Sequence, residues 1–192
     1  MVGAQPRSSE RRHPISYGTL RIMPFLETRD VRSFDCGNKD LNDFLCTKEV
    51  SDYTKEGLGK TYLVYYQDEG HLIAYFTVCM DSLRVEYLKT VKSFSKFPSM
   101  NIEAVPGVKI GRLAVDLGYQ RRGVGGHIIR YVTGMALETG LAARLLIVQT
   151  KPESGEFYQK FGFAFVTETR RERGRINRTM FLDLWEHPER ES

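Results

Sequence analysis

The sequence predicts a single mixed α/β (α+β) domain, built on a central sheet with helices packed against it. Two observations predict this class. Strand-like and helix-like patterns follow one another along the chain in the order typical of such folds. The run RLLIVQT at 144–150 is apolar almost throughout, as in a strand buried on both faces. With 192 residues and 41% hydrophobic content, the chain is long enough for one core.

The two ends of the chain are predicted to lie outside this domain. We expect a flexible tail over 1–19, the domain over 20–186 and a second tail over 187–192. The opening MVGAQPRSSERRHP is polar and lacks the apolar core of a signal peptide. Since no apolar run approaches the roughly 20 residues that span a bilayer, we expect a soluble, cytoplasmic protein.

Charge and cysteine content narrow the class of protein. The formal net charge of +4 is compatible with an anionic ligand, but it does not by itself indicate nucleic acid. Cys36, Cys46 and Cys79 are widely spaced and form no CxxC pair or Cys/His cluster. We therefore expect free thiols, with neither a disulfide framework nor a metal site.

The first half of the chain predicts a strand, a helix and a hairpin. LRIMPF can form a strand that Pro24 confines to an edge or an end. FDCGNKDLNDFL is typical of a turn entering a helix, with Asn38 as the N-cap, and the helical signal continues weakly to about Glu56. KTYLVYYQ and HLIAYFTVCM are two strand candidates joined by the turn DEG. Residues 81–105 have the weakest pattern: EYLKTVKSFSKF could form a short helix, whereas PSMNIEAVPG is loop-like. Long irregular segments in compact domains are often functional loops.

The second half has clearer patterns. VKIGRLAV predicts a strand in which Gly111 marks a bulge or a close backbone approach. A helix is expected over 123–139, then the buried strand RLLIVQT, then a helix that Pro152 opens and Gly162 ends. FAFVTET and INRTMFLDLW predict two last strands, joined by the arginine-rich RRERGR.

The glycine-rich stretch GRLAVDLGYQRRGVGGHIIR at 111–130 predicts an anion site. A helix N-terminus offers unpaired N–H groups and a partial positive charge, and glycines let a phosphate approach them. The alternative is a tight turn that needs glycine only for its φ values. A Walker loop does not fit, because no lysine with a following hydroxyl is present. A dinucleotide fingerprint does not fit either, because Ile128 occupies the third small position.

The stretch QRRGVGG at 120–126 resembles the Q/R-x-x-G-x-G/A signature of the GCN5-related N-acetyltransferases (GNAT). GRLAV resembles that family's fourth strand and FYQKFGF its late helix, so the resemblance covers roughly 60–184. It implies a GNAT-like mixed sheet splayed between strands four and five. It also implies acetyl-CoA as cosubstrate, with the pyrophosphate at 121–126 and the pantetheine arm along the fourth strand in the gap. The implied cofactor-binding residues are Leu113, Ala114, Val115, Gln120, Arg121, Arg122, Gly123, Val124, Gly125 and Gly126.

The resemblance implies that Tyr158 is the general acid that protonates the departing thiolate. The alternative is a packed tyrosine whose hydroxyl bonds to a backbone carbonyl. No general base is identified, since Glu103 and Asp116 merely flank the strand VKIGRLAV. Lys151 and Ser154 depart from the family pattern, which puts contacts to the pantetheine arm there in doubt.

The acceptor is expected to be a primary amine that the sequence does not identify, on a small molecule or a protein. FDCGNKDLNDFL and KIGRLAVDLGYQRRGVGGHII also resemble the GNAT branch that contains toxin–antitoxin toxins, which implies aminoacyl-tRNA as an alternative acceptor. A basic surface would then contact its phosphates; the candidates are Arg170, Arg171, Arg173, Arg175 and Arg178. A non-catalytic acyl-CoA sensor is the other alternative. A homodimer through the last strands is an open expectation.

Overall fold

The fold was analysed on a computed structural model, which describes residues 14–27, 31–66, 70–88, 91–95, 97–138, 142–172 and 175–186. The strands are β1 (Leu20–Pro24), β2 (Lys60–Tyr66), β3 (Leu72–Arg84), β4 (Ala104–Val115), β5 (Leu145–Thr150), β6 (Ala164–Glu172) and β7 (Arg175–Asp183). The α-helices are α1 (Lys39–Cys46), α2 (Glu49–Lys55), α3 (Val124–Glu138) and α4 (Gly155–Gln159).

All seven strands form one sheet, in the order β1-β2-β3-β4-β5-β7-β6. Neighbouring strands are antiparallel, except that β4 and β5 run parallel. The connection between these two strands contains α3, as parallel neighbours require a crossover. The predicted mixed α/β class with a central sheet is confirmed.

The helix after FDCG begins where the sequence predicts and ends earlier. Asn38 is extended, and its side chain accepts a hydrogen bond from the N–H of Leu41 at 3.3 Å, which confirms the N-cap. The helical signal to Glu56 proves to be two helices, because Thr47 has extended backbone angles and separates α1 from α2.

Residues 81–105, which we expected to be largely irregular, include short 3-10 turns that pack against β5, β6 and β7. Strand β3 continues to Arg84, and three short 3-10 turns follow at Val85–Tyr87, Lys92–Phe94 and Phe97–Met100. Leu88 and Phe94 are fully buried. These turns are too short to display an amphipathic period, so sequence periodicity could not reveal them.

The sheet has an apolar layer on each face. Residues of α3 such as Ile128 and Val132 pack with Ile110 and Val148 on one face. On the other face, two separate clusters lie side by side. One joins α1 and α2 to β2, β3 and the end of β4. The other joins the 3-10 turns to β5, β6 and β7.

Packing against the α3 face begins before residue 20. Ile15 is buried in that cluster, and its N–H donates to the carbonyl of Arg122 at 3.0 Å. The remainder of the expected amino-terminal tail, 1–13, lies outside the described residues, as does 187–192. Within the described ranges, the structure holds no helix long and apolar enough to cross a membrane.

Candidate active site

Strand β4 has two halves that differ in their contact with β5. Gly107–Ile110 pairs in parallel with Leu145–Val148. Beyond these residues, Arg112–Val115 has its described ladder partners on β3, and the last two residues of β5 have theirs on β7. The two strands therefore part after Ile110, and the predicted splay between strands four and five is confirmed.

Gly111 lies at the point of separation. Arg112 pairs with Thr77 and Ile110 pairs with Val78, so Gly111 is one extra residue in β4. This confirms the predicted bulge. The bulge also changes which face the following side chains occupy, because successive residues of a strand point to opposite faces. Val108 and Ile110 pack with α3, whereas Ala114 packs with α1 and α2.

The loop after β4 contains two residues in the left-handed region. Arg121 has φ +59° and Gly123 has φ +89°. Helix α3 begins at Val124, and its first intrahelical bond runs from the N–H of His127 to the carbonyl of Gly123 at 3.0 Å. The N–H groups of Val124 to Gly126 precede that bond, as at any helix N-terminus. A Cβ added to Gly123 would meet nothing within 4 Å, so the loop is open there.

Gly125 and Gly126 have a packing role that the sequence did not indicate. A Cβ on Gly125 would lie 3.1 Å from the ring of Phe157, and one on Gly126 would lie 2.6 Å from that of Phe161. A Cβ at Gly126 would require the Phe161 ring to move, and one at Gly125 would be tighter than ordinary van der Waals contact. These two glycines therefore let α3 pack closely against α4 and the residues after it.

The remaining residues of the motif differ in their surroundings. The Gln120 side chain donates to the carbonyls of Cys36 and Val115, both at 2.9 Å. Arg121 is exposed, and the guanidinium of Arg122 lies 5.2 Å from the ring centre of Tyr119.

Tyr158 lies on α4 among aromatic rings. Its ring centre is 5.0 Å from that of Phe157 and 5.5 Å from that of Phe163. Burial raises the pKa of Tyr158 to about 12, so its hydroxyl is protonated at neutral pH. The ring is packed, as the alternative interpretation expected. In the described part of the chain, however, no carbonyl accepts a hydrogen bond from this hydroxyl.

A polar pair that sequence analysis missed lies where the two apolar clusters of the opposite face meet. The Lys109 ammonium is 3.2 Å from the Asp81 carboxylate, and both side chains are partly exposed. Asp81 also lines a cavity with Gln149 and Thr179, beside the point where β4 and β5 separate. The alternation of β3 could have extended the strand to Asp81, but only the cross-strand register places Lys109 beside it.

The carboxylates that flank VKIGRLAV have other environments. Asp116 accepts hydrogen bonds from the N–H groups of Asp35 and Gly118, at 3.1 and 2.8 Å. Glu103 is exposed. Among the described residues, no group of three or more His, Cys, Asp or Glu side chains is placed to hold a metal ion.

Comparison with known proteins identifies the domain. Residues 99–184 match the family model of the acetyltransferase (GNAT) domain, a range that includes β4, the glycine-rich loop and Tyr158. Over these residues the chain matches the GNAT acetyltransferase domain.

Several known proteins resemble this chain over most of its length. A tRNA-acetylating toxin of Mycobacterium tuberculosis is 27% identical over 139 residues, which are 70% of this chain and 78% of the toxin. The structure of AtaT complexed with acetyl-methionyl-tRNA superposes with a TM-score of 0.71 at 22% identity, covering 85% of this chain and 94% of AtaT. AtaTR bound with acetyl-CoA gives 0.68 at 21% identity, over 88% and 95% of the two chains.

The arginines expected to form a basic surface are only partly described by the structure. Arg170 and Arg171 lie in β6 and Arg175 begins β7, with their side chains outside the described part; Arg173 lies wholly outside it. The guanidinium of Arg178 lies 4.0 Å from the ring centre of Phe165. The two departures from the family pattern, Lys151 and Ser154, bracket the 3-10 turn before α4.

Proposed function

We propose that this GNAT enzyme transfers the acetyl group of acetyl-CoA to the amino group of an aminoacyl-tRNA. The similarity to a tRNA-acetylating toxin and to AtaT in complex with acetyl-methionyl-tRNA supports this acceptor over other amines. The separation of β4 and β5 beside an open glycine-rich loop is the observation that carries the donor side.

The chain's residues fit acetyl-CoA in two respects. The backbone of Leu113–Val115 borders the gap and can pair with the amide groups of a pantetheine arm, much as an added strand would. The N–H groups of 124–126 and the open side of Gly123 suit a pyrophosphate, because they combine free donors with the positive end of the α3 dipole. Arg121 and Arg122 add positive charge at the rim. We assign cofactor binding to these groups.

Acetyl-CoA supplies the acetyl thioester, and Tyr158 is our candidate for the proton donor. Its Oη is protonated and lacks an acceptor within the described structure. We expect it to donate a hydrogen bond, and then its proton, to the sulfur as negative charge develops. A pKa of about 12 exceeds the ordinary thiol value of about 8.5, so a tyrosinate is not a stable product. As the C–N bond forms and the C–S bond breaks, the nitrogen must therefore release a proton that restores Tyr158.

On the acceptor side, Asp81 is our candidate for holding the amine. Its carboxylate lies beside the gap, and the ammonium of Lys109 keeps the pair close to neutral. An incoming ammonium can exchange for Lys109 on the carboxylate, which also gives a route for its proton. This assignment places the two substrates on opposite faces of the sheet.

The test is acetylation of a panel of aminoacyl-tRNAs. Purified protein is incubated with acetyl-CoA and each charged tRNA, and the aminoacyl group is released and analysed by mass spectrometry, with thiol release followed in parallel. We expect N-acetyl-aminoacyl products from one or a few tRNAs. Tyr158→Phe should lower kcat about 100-fold, the lower end of typical general-acid effects, with little change in acetyl-CoA affinity.

Free amino acids, polyamines and peptides with exposed lysines serve as competing acceptors. Acetylation of one of these, without reaction of any aminoacyl-tRNA, would contradict the proposed acceptor. Tyr62→Phe is the matched tyrosine control, since Tyr62 lies in β2, where its ring stacks on Phe76, and does not line the Asp81 cavity. If that variant lost as much activity as Tyr158→Phe, the assignment of Tyr158 would be wrong.

A further inference from the structure

The Gln120 side chain is turned into the protein, away from the open side of the loop. Its Nε2 group donates to the carbonyls of Cys36 and Val115, each at 2.9 Å. A primary amide has two N–H donors, so both are used within the protein. Cys36 is 84 residues away in sequence. The amide therefore joins the end of β4 to a segment near the amino end of the chain.

That segment makes further contacts with the loop that leads into α3. The N–H of Asp35 donates to the carboxylate of Asp116 at 3.1 Å. The carbonyl of Asp35 accepts from the N–H of Leu117 at 2.9 Å. Gly37 has φ +77°, and a Cβ there would lie 3.0 Å from the Leu117 side chain. Residues 35–37 and 116–120 thus contact each other through hydrogen bonds and close packing.

The segment is anchored in turn to α1 through Asn42. The Asn42 amide donates to the carboxylate of Asp35 at 2.7 Å and accepts from the N–H of Cys36 at 3.0 Å. The same carboxylate accepts from the N–H of Gly37 at 2.8 Å. These bonds lower the pKa of Asp35, first through the Gly37 N–H and then through Asn42, so the carboxylate stays ionised.

The loop that these contacts hold is the one with unfavourable backbone angles. Arg121, directly after Gln120, has φ +59°, which is uncommon for a residue with a side chain. Such a conformation costs free energy and persists only where the surroundings impose it. Gln120 is the last residue before this turn and is fixed at two points.

We propose that Gln120 is a positioning residue, which with Asn42 and the 35–37 segment forms a brace that holds the 121–126 turn in shape for a pyrophosphate. This inference rests on the proposed acetyl-CoA site. Gln120 itself does not contact the ligand, in contrast to its neighbours 121–126. The sequence FDCGN thereby acquires a role in donor binding, although it lies far from the motif in the chain.

The test compares two ligands that differ in the pyrophosphate. Acetyl-CoA carries it, whereas S-acetylpantetheine lacks both the pyrophosphate and the nucleotide. Gln120→Met keeps the side-chain length and removes both donors. We expect its Kd for acetyl-CoA, measured by calorimetry, to rise about tenfold, as for the loss of two ordinary hydrogen bonds. The Kd for S-acetylpantetheine, measured by NMR titration, should stay within about twofold.

A variant remote from the turn separates bracing from direct contact. Asn42→Ala removes the anchor on α1 and should also weaken acetyl-CoA binding selectively, by about threefold to fivefold. The double variant should bind no more weakly than Gln120→Met alone, because both changes release the same brace. Gln159→Met, on the exposed end of α4, is the matched control and should change neither Kd.

The possible outcomes distinguish a positioning role of Gln120 from direct contact with the ligand. Selective loss in Gln120→Met with no loss in Asn42→Ala would indicate direct contact with the ligand and overturn the brace. Equal weakening of both ligands, or no weakening of either, would also overturn it. If Gln120→Met does not fold, as judged by thermal unfolding, Asn42→Ala alone gives the answer. Failure of the wild-type protein to bind acetyl-CoA would instead contradict the proposed function.

Discussion

Both halves of β4 pair with β3 on one side, but only one of them pairs with β5 on the other side. Gly107–Ile110 is hydrogen-bonded to β3 and to β5, whereas Arg112–Val115 faces a gap where β5 turns away. An unpaired backbone edge inside a sheet costs free energy unless water or a ligand satisfies it. The comparison teaches that one residue, Gly111, divides a structural half of the strand from a half available for binding.

Gly107, in the first half of β4, and Gly111, at the point of separation, differ in what an added Cβ would contact. A Cβ on Gly107 would lie 2.5 Å from the backbone carbonyl oxygen of Leu145, which cannot move without separating the strands. A Cβ on Gly111 would lie 2.9 Å from a side-chain oxygen, that of Thr77. Substitutions at these two positions therefore probe two features independently. One is the half of β4 that pairs with β5 (Gly107–Ile110, the joined half), and the other is the point of separation at Gly111.

The largest effect is expected from Gly107→Ala, which breaks the joined half. Because the added methyl group must displace the β5 backbone, we expect a loss of about 3 kcal/mol in the free energy of unfolding, the upper end for overpacking. Urea denaturation measures it. The matched control is Gly134→Ala in α3, where an added Cβ meets nothing within 4 Å. There we expect a gain of about 0.5–1 kcal/mol. Equal stability of the two variants would contradict the close approach at Gly107.

Hydrogen exchange should show the two halves directly. Without ligand, the backbone N–H groups of Leu113–Val115 that face the gap should exchange faster than those of Lys109 and Ile110. Acetyl-CoA at 100 times its Kd stabilises the bound state by about 2.7 kcal/mol, so exchange of the gap-facing groups should slow by up to about 100-fold. The joined half should gain far less. Equal protection of both halves by acetyl-CoA would mean that the ligand does not pair with this edge.

Local sequence patterns were sufficient for the elements that depend on neighbouring residues. Local signals predicted four features: the Asn38 cap, the helix α3, the buried strand β5 and the Gly111 bulge. These signals were a capping residue, apolar periodicity and a glycine inside a strand. The boundary between α1 and α2 was not predicted, because Thr47 interrupts a continuous helical pattern without a glycine or proline to mark it.

The residues of the candidate site could be singled out from sequence only where they are consecutive. The glycine-rich loop and Tyr158 were singled out from sequence, and the structure places them on facing elements, with Gly125 against Phe157. The Asp81–Lys109 pair depends on the register of β3 and β4, and the bonds of Gln120 depend on a segment 84 residues earlier. Contacts between distant residues have no local pattern, so the Asp81–Lys109 pair and the hydrogen bonds of Gln120 became visible only in the fold.

The smallest of the three effects is expected from Gly111→Ala, at the point of separation. Its backbone conformation is open to any residue, and the obstacle is the buried Thr77 hydroxyl. Since a side chain yields more easily than a backbone, we expect a loss of only about 1 kcal/mol. Removing that hydroxyl with Thr77→Ala should relieve the contact. In the double variant the two losses should sum to less than their separate values by about 0.5–1 kcal/mol, a coupling that urea denaturation of all four proteins measures. Strict additivity would show that Gly111 is required for the bulge itself and not for the space beside Thr77.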